Sequence, residues 1–320
     1  MRRLPELSQV NHPGVEIWRG GVNTWECDEM GHLNVRFYVT RAMEGLAGLA
    51  GLLGLPHAFA SYAGATLLVR DQHIRFLREC HAGAALHMTG GVIEMGEEEA
   101  RLLQLLIHSR TGEIAASFQT VVAHVTPGET RPFPWPRRTL ELAEALKVEV
   151  PEKARPRSLD LGPVDSRASL KRAEKLGLTR ISLGAMGLAD IDIFGRMRVE
   201  QFIGRVSDGI PSLVSAFRNT VAEKAPAPPG RVGGAVLEYR LVHLDWPRAG
   251  DRVEIRSGLA GVDSRTQRIV HWLLDPGSGK AWGTSEAVAI TFDLDSRKVV
   301  PVSDEAQAAL SKLVVKGLEL

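Results

Sequence analysis

The chain has 320 residues, of which 44% are hydrophobic and 24% charged, a balance typical of soluble globular proteins with a sizeable core. Its 39 Lys and Arg nearly equal its 38 Asp and Glu, and no basic cluster stands out, which argues against a nucleic-acid partner. No apolar run approaches a membrane span and the N-terminus lacks a signal-peptide core, so we expect a cytoplasmic protein without a membrane partner.

The chain contains two copies of one module. Residues 26–45 match residues 190–209 without a gap, and residues 83–125 match residues 250–292 in the same way. Identical pairs in the first block are Asp28/Asp192, Gly31/Gly195, Val35/Val199, Arg41/Arg205 and Gly45/Gly209. Self-similarity of this kind indicates duplicated structural units.

In the first copy, an early strand is followed by one long helix and then by several strands. Apolar residues recur at spacings of three and four from Val35 to Leu53, which predicts a helix with one buried face. Asn34 is a suitable N-cap and Gly54 a suitable stop. Four strands are predicted after this helix, over 65–79, 84–95, 100–109 and 114–125.

The second copy repeats this order. A helix is predicted over 199–217, a hairpin turn over 275–280 and a short capping helix over 303–315. Its strands are predicted over 234–244, 251–261, 267–274 and 281–293. Between the copies, a Pro- and Arg-rich stretch with a possible helix over 139–147 indicates a solvated connector rather than a binding tail. The expected division is repeat 1 at 1–130, a linker at 131–172 and repeat 2 at 173–320.

The segment before the first helix carries the candidate chemistry. Residues 25–38 read WECDEMGHLNVRFY, which places a carboxylate, a glycine, a histidine and an asparagine at a strand-to-helix junction. A helix N-terminus presents unpaired backbone N–H groups that can stabilise an oxyanion. Asp28 beside such a group could act as a nucleophile or as a general base on an activated ester, and the sequence leaves both routes open. The structural alternative is that Asp28 holds a turn.

Other residues in this segment have competing interpretations. His32 either orients the substrate or is a hydrogen-bonded structural residue, and Asn34 is expected to be a helix cap first and a site residue second. Cys27 lacks the partners of a catalytic thiol and is interpreted as a packed side chain. The remaining histidines of this repeat show no metal-ligand spacing and are expected on the surface or in packing, namely His73, His81, His87, His108 and His124.

At this point the sequence resembles the 4-hydroxybenzoyl-CoA thioesterase branch of the hotdog-fold superfamily. The resemblance rests on residues 26–34, ECDEMGHLN, together with the helix and strands that follow. It implies an α+β fold of two fused hotdog repeats, each a long central helix wrapped by an antiparallel sheet. One chain would then mimic a homodimer, with further homo-oligomerisation left open. It also implies that Asp28 is the catalytic carboxylate and that Gly31 and Val35 contribute the substrate and oxyanion contacts.

The resemblance therefore implies an acyl-CoA thioesterase with a small-molecule partner, in which CoA belongs to the substrate and no metal or other cofactor is needed. A hotdog-fold hydratase or dehydratase is one alternative, although neither repeat carries the Asp and His segment of that class. A non-catalytic acyl-CoA-binding module is another. In the second pseudo-site, Asp192 persists but is followed by Arg196 and Arg198, and an ion pair there would make Asp192 a poorer nucleophile or base. The same two arginines could instead hold a phosphate of CoA.

Overall fold

A computed structural model of the protein describes residues 11–128, 130–225 and 230–320. The chain divides into two compact units, Met1–Arg155 and Pro156–Leu320, so the division falls within the segment 131–172. Residues 1–10, for which the sequence predicts neither a signal peptide nor an anchor, lie outside the described residues. None of the helices in the described ranges combines the length and apolar character that a bilayer crossing requires.

The first unit is an antiparallel sheet with one long helix. Its sheet has the order β1-β3-β4-β5-β2. Its strands are β1 (Val15–Gly21), β2 (Thr66–Phe76), β3 (Ala85–Met95), β4 (Glu99–His108) and β5 (Ile114–Val125). Its helices are α1 (Val35–Leu52) and α2 (Arg137–Ala145). The predicted helix and strands are confirmed with boundaries shifted by three residues or fewer.

Helix α1 packs its apolar stripe against β1, β3 and β4. The buried stripe consists of Tyr38, Val39, Ala42, Leu46, Leu49 and Ala50, with Gly45 among them. Glycine is required where helix and strand backbones approach each other, since a Cβ built on Gly48 would lie 2.3 Å from the carbonyl oxygen of Ile17. This close packing offsets the roughly 0.5–1 kcal/mol by which a helical glycine is less stable than alanine.

The second unit repeats the topology. Its sheet has the order β6-β8-β9-β10-β7, which is the order of the first unit with each strand replaced by its copy. Its strands are β6 (Thr179–Ala185), β7 (Val232–His243), β8 (Arg252–Val262), β9 (Gln267–Leu274) and β10 (Ala281–Asp293). Its helices are α3 (Leu170–Lys175), α4 (Glu200–Gly209), α5 (Pro211–Glu223) and α6 (Asp304–Ser311). The turn predicted over 275–280 joins β9 to β10.

The single helix expected over 199–217 is wrong in one respect, because two helices, α4 and α5, occupy this region. The break falls at Ile210, directly before Pro211. Proline has no N–H to donate, and its ring crowds the carbonyl of the preceding turn, so a regular helix is interrupted there. Ile210 keeps helical dihedral angles (φ −64, ψ −29), which makes this a kink between consecutive helices.

Parts of the segment 131–172 pack against neighbouring strands, while most of its residues are partly or fully exposed. The helix predicted there is present as α2, beginning two residues earlier than expected. After α2, the chain bonds to β3 through Val148 and Val92, and Ala154 is fully buried against β4. In the second unit, the buried Arg240 donates hydrogen bonds of 2.7 Å to the carbonyl oxygens of Asp160 and Gly162. Composition predicted exposure here because the apolar residues that pack are few and dispersed.

Candidate active site

A tight turn holds Asp28 in front of helix α1. The backbone N–H of Asp28 donates to the carbonyl oxygen of His32 (2.8 Å), and the Gly31 N–H donates back to the carbonyl oxygen of Asp28 (3.0 Å). Gly31 has a φ of +79, a conformation that favours glycine. The Asp28 Oδ1 accepts the amides of Met30 (2.9 Å) and His32 (3.0 Å). Asp28 therefore stabilises the turn, and all its carboxylate hydrogen bonds within the described ranges fall on Oδ1.

The N-terminus of α1 directly follows this turn. Asn34 is the N-cap, and its side-chain oxygen accepts the Arg36 amide at 3.0 Å, which confirms the predicted cap. The Asn34 amide donates to the carbonyl oxygen of Glu26, and the Phe37 amide donates to that of Asn34. For the Val35 amide, no acceptor lies in the part of the chain that the structure describes. Val35 therefore offers the N–H of this helix end that an external oxygen can use.

A buried ion pair fastens the turn to the helix. Arg41 on α1 pairs with Glu26, and their side chains are only 12% and 6% exposed. The second carboxylate oxygen of Glu26 accepts the Asn23 amide at 2.8 Å. The second unit has the same device at the matching positions, where Arg205 and Asp190 lie 3.0 Å apart. The repeat thus preserves a structural anchor as well as the aspartate.

His32 is tied to a neighbouring extended segment. Its Nε2 lies 3.4 Å from a carboxylate oxygen of Glu79, and its ring meets that of His81 edge to face. An antiparallel bridge joins His32 and His81, and the Leu33 amide donates to the carbonyl oxygen of Cys80 at 2.8 Å. Within the described ranges, His32, Glu79 and His81 form the group of ligand-type side chains whose ligand atoms lie close enough together to hold one metal ion.

The two cysteines are not placed as nucleophiles. Cys27 is partly buried and its Sγ faces the carbonyl oxygen of Asn23 at 3.6 Å. Cys80 is buried, and burial raises the pKa of its thiol to about 11, while a hydrogen bond with Tyr38 opposes that shift. Burial also raises the pKa of the Tyr38 hydroxyl. A thiol in such surroundings stays protonated and unreactive at neutral pH.

Most of the other histidines pack as predicted. His73 and His124 are only 1% exposed, and His87 contacts the Ser109 hydroxyl at 3.0 Å. His108 contacts the carbonyl oxygen of Glu79 at 3.1 Å. His81 is exposed, as expected of a surface residue, and its side chain lies near two other ligand-type groups.

The second repeat builds the same turn with a different electrostatic result. Asp192 Oδ1 accepts the amides of Phe194 (2.8 Å) and Arg196 (3.0 Å), and Gly195 has a φ of +77. Its other oxygen is occupied, since the Arg196 guanidinium donates to Oδ2 through Nε (3.2 Å) and Nη2 (3.0 Å). The Arg196 side chain is 4% exposed. The predicted pairing of the second aspartate is therefore present.

Arg198, unlike Arg196, does not pair with Asp192. It lies where the first repeat has Asn34, and it pairs with the buried Glu200 at 2.5 Å rather than with Asp192. Helix α4 begins without a side-chain cap. The two helix ends thus differ in capping and in charge.

Sequence reasoning missed Glu79, His81 and the Glu26–Arg41 pair. The last of these had a detectable signal, because positions 26 and 41 correspond to 190 and 205 and keep an acid and an arginine in both copies. Glu79 and His81 had no such signal, since their matches at 246 and 248 are Trp and Arg. Only strand pairing brings them to His32.

Comparisons with known proteins agree with this architecture. A family model described as the thioesterase-like superfamily matches residues 22–146 and 186–310, once in each repeat. A stretch of 77 residues, 24% of this chain, is 36% identical to the betainyl-CoA thioesterase of Pseudomonas aeruginosa, and it spans 48% of that curated relative, about half its length.

Two solved structures resemble the chain over most of its length. The 12:0-ACP thioesterase of Umbellularia californica has a TM-score of 0.61 at 12% identity, covering 85% of this chain and 92% of that one. An acyl-ACP thioesterase of Bacteroides thetaiotaomicron has a TM-score of 0.60 at 11% identity, covering 85% and 96%. At these identities the similarity shows the fold, a two-repeat hotdog-like thioesterase fold of helices and antiparallel sheet.

Proposed function

The chain belongs to the thioesterase-like superfamily, and from this premise we propose that it hydrolyses the thioester of an acyl-CoA to the free acid and CoA. CoA is favoured as the thiol because the relative that shares 36% identity over 77 residues is named for a CoA thioester. The ACP thioesterases share the fold at 12% identity or less. The observation that carries the proposal is an Asp28 carboxylate fixed in the turn that leads into α1, whose first amide, that of Val35, has no acceptor within the described residues.

Each of these two groups has a role that follows from its surroundings. The amides of Met30 and His32 hold Oδ1 of Asp28, which leaves Oδ2 to act on the acyl carbon or on a water molecule. The Val35 N–H would donate to the carbonyl oxygen of the thioester as negative charge develops there. A well-placed donor of this kind contributes on the order of 3 kcal/mol to transition-state stabilisation. The Gly31 amide already donates to the carbonyl oxygen of Asp28, so the contribution of Gly31 to the site is the positive φ that lets the turn form.

Two chemical routes are compatible with this arrangement. In one, the Asp28 carboxylate bonds to the acyl carbon, the carbon–sulfur bond breaks, and water then cleaves the mixed anhydride. In the other, Asp28 takes a proton from water and the resulting hydroxide attacks the acyl carbon. In both, CoA leaves as the thiolate and is protonated. An acyl adduct on Asp28 seen by mass spectrometry after rapid quenching would identify the first route.

We propose that the first repeat carries the turnover. Asn34 shapes the helix end as its cap, and His32 supports the turn through Glu79 rather than transferring a proton. In the second pseudo-site, Arg196 neutralises Asp192 and so weakens it as a nucleophile or base. Arg198 is held by Glu200 and serves the fold of that repeat.

The decisive experiment compares Asp28→Asn with Asp192→Asn. Asparagine at position 28 keeps an Oδ1 that can accept the Met30 and His32 amides, so the turn should survive while the negative charge is lost. We expect thiol release from a panel of short, long and aromatic acyl-CoA substrates to fall by roughly 10² to 10⁴.

Asp192→Asn is the matched control. It leaves the Arg196 charge without its carboxylate, so we expect a lower melting temperature but nearly unchanged turnover well below that temperature. Full activity in Asp28→Asn, with the loss confined to Asp192→Asn, would reverse the assignment. Circular dichroism of both variants separates loss of chemistry from loss of folding.

A further inference from the structure

Three ligand-type side chains converge beside the turn. One ring nitrogen of His32, one of His81 and a carboxylate oxygen of Glu79 all lie within 4.8 Å of one another. His32 belongs to the turn before α1, whereas Glu79 and His81 belong to the extended segment after β2. Successive side chains of an extended segment point to opposite sides, so Glu79 and His81 share one side while Cys80 between them is buried. Backbone pairing of the two segments therefore fixes the group.

The tautomer of His81 follows from its contact with the main chain. Its Nδ1 lies 3.2 Å from the carbonyl oxygen of Gly31, and a carbonyl can only accept, so Nδ1 carries the proton. The lone pair of a neutral ring is then on Nε2, which faces the Glu79 carboxylate at 4.0 Å. A backbone carbonyl that orients an imidazole in this way is the usual outer-shell partner of a metal-binding histidine.

Two of the three ligand separations, those to Glu79, come close to the separations around a small tetrahedral ion, and the two histidine nitrogens lie within 4.8 Å of each other. Ligands at about 2.0–2.2 Å from zinc are separated from each other by roughly 3.3–3.5 Å. His32 and Glu79 already lie 3.4 Å apart, and the His81 to Glu79 distance of 4.0 Å has to close by roughly 0.6 Å. The Glu79 and His81 side chains are 43% and 61% exposed, so they can make that adjustment without disturbing the core.

We propose that His32, Glu79 and His81 form a binding site for one divalent transition-metal ion, with zinc preferred. Two imidazoles and a carboxylate favour zinc over magnesium or calcium, which take mostly oxygen ligands. Three protein ligands leave a fourth position for water. The ion would join the turn that holds Asp28 to the segment after β2. The proposal departs from the expectation of no metal site.

The second repeat provides an internal comparison. Its matching positions are Arg196, Trp246 and Arg248, none of which binds zinc. The same backbone pairing is present there, since the Met197 amide donates to the carbonyl oxygen of Pro247 at 2.8 Å. The proposed site is therefore specific to the first repeat, with about one ion per chain.

The test is direct metal binding to the full chain after treatment with a chelator. Zinc chloride is titrated calorimetrically, and Co²⁺ replaces zinc to report tetrahedral coordination by its visible absorption. We expect saturation at about one ion per chain, with magnesium failing to compete. Glu79→Gln and His81→Ala should each weaken zinc binding by more than about 100-fold, because losing an outer-shell partner alone costs about 10–100-fold.

His57→Ala is the matched control. His57 is an exposed histidine whose Nδ1 lies 3.3 Å from the Tyr62 hydroxyl, and it is not one of the three proposed ligands. It should bind zinc as the unaltered chain does. The proposal is overturned if the unaltered chain shows no saturable binding, in which case the three groups form only an ion pair. It is equally overturned if His81→Ala or Glu79→Gln keeps the affinity. Melting curves verify that each variant is folded, and none of these readouts depends on thioester hydrolysis.

Discussion

Removing the guanidinium of Arg41 should destabilise the first unit strongly. Arg41 is the ion-pair partner of Glu26, and the two side chains are 12% and 6% exposed. Without Arg41, the Glu26 carboxylate keeps only the hydrogen bonds from Asn23. Truncating one partner of a buried ion pair leaves an uncompensated charge and costs about 3–5 kcal/mol. We expect a loss of that size for Arg41→Ala.

Replacing both partners provides a check on this magnitude. In the double variant Glu26→Gln with Arg41→Met, no charge is left buried, so the cost should be clearly smaller than in Arg41→Ala. Arg137→Ala is the control, because the Arg137 and Glu141 side chains are 92% and 62% exposed. An exposed pair on a helix is worth about 0.5 kcal/mol or less.

The chain has two units that can unfold separately, so the assay has to report on the first unit alone. Hydrogen exchange of peptides covering α1, measured over a urea series, gives the local opening free energy. If Arg41→Ala lowers this free energy no more than Arg137→Ala does, the buried pair is worth no more than an exposed one, which would contradict the expected loss.

Three further outcomes follow from the structure. Gly51→Ala should stabilise the chain by about 0.5–1 kcal/mol, since no atom lies within 4 Å of the added Cβ. Gly48→Ala should destabilise it, because the added Cβ would lie 2.3 Å from a carbonyl oxygen of β1. Thermal melting should therefore show a higher melting temperature for the first variant and a lower one for the second. Asn34→Ala removes the helix cap and should lower the opening free energy of α1, measured by the same hydrogen exchange over a urea series, by about 1 kcal/mol, and an unchanged value would show that the cap is dispensable. At pH 8, iodoacetamide should modify Cys27 and spare Cys80, whose raised pKa leaves roughly a thousandth of it as thiolate; labelling of both before unfolding, seen by mass spectrometry, would contradict this.

The sequence by itself determined the duplicated architecture and most of the elements. Helix α1 begins after Asn34 and ends before Gly54 as predicted, because caps and apolar spacing act within one turn of helix. The Asp192–Arg196 pair was also predictable, because its partners lie four residues apart within the tight turn that precedes α4. Pro211 is also a local signal, and it divides the helix expected over 199–217 into two at Ile210.

The contacts that depend on strand pairing were decided by the tertiary structure alone. His32 meets Glu79 and His81 because an antiparallel bridge sets two distant segments side by side, and no local spacing encodes that register. Within the segment 131–172, Ala154 is buried because it packs against Leu103, Leu105 and Ile107 of β4. Local signals specify which backbone conformation a segment takes, whereas the partner that it packs against is fixed only when the whole chain closes its core.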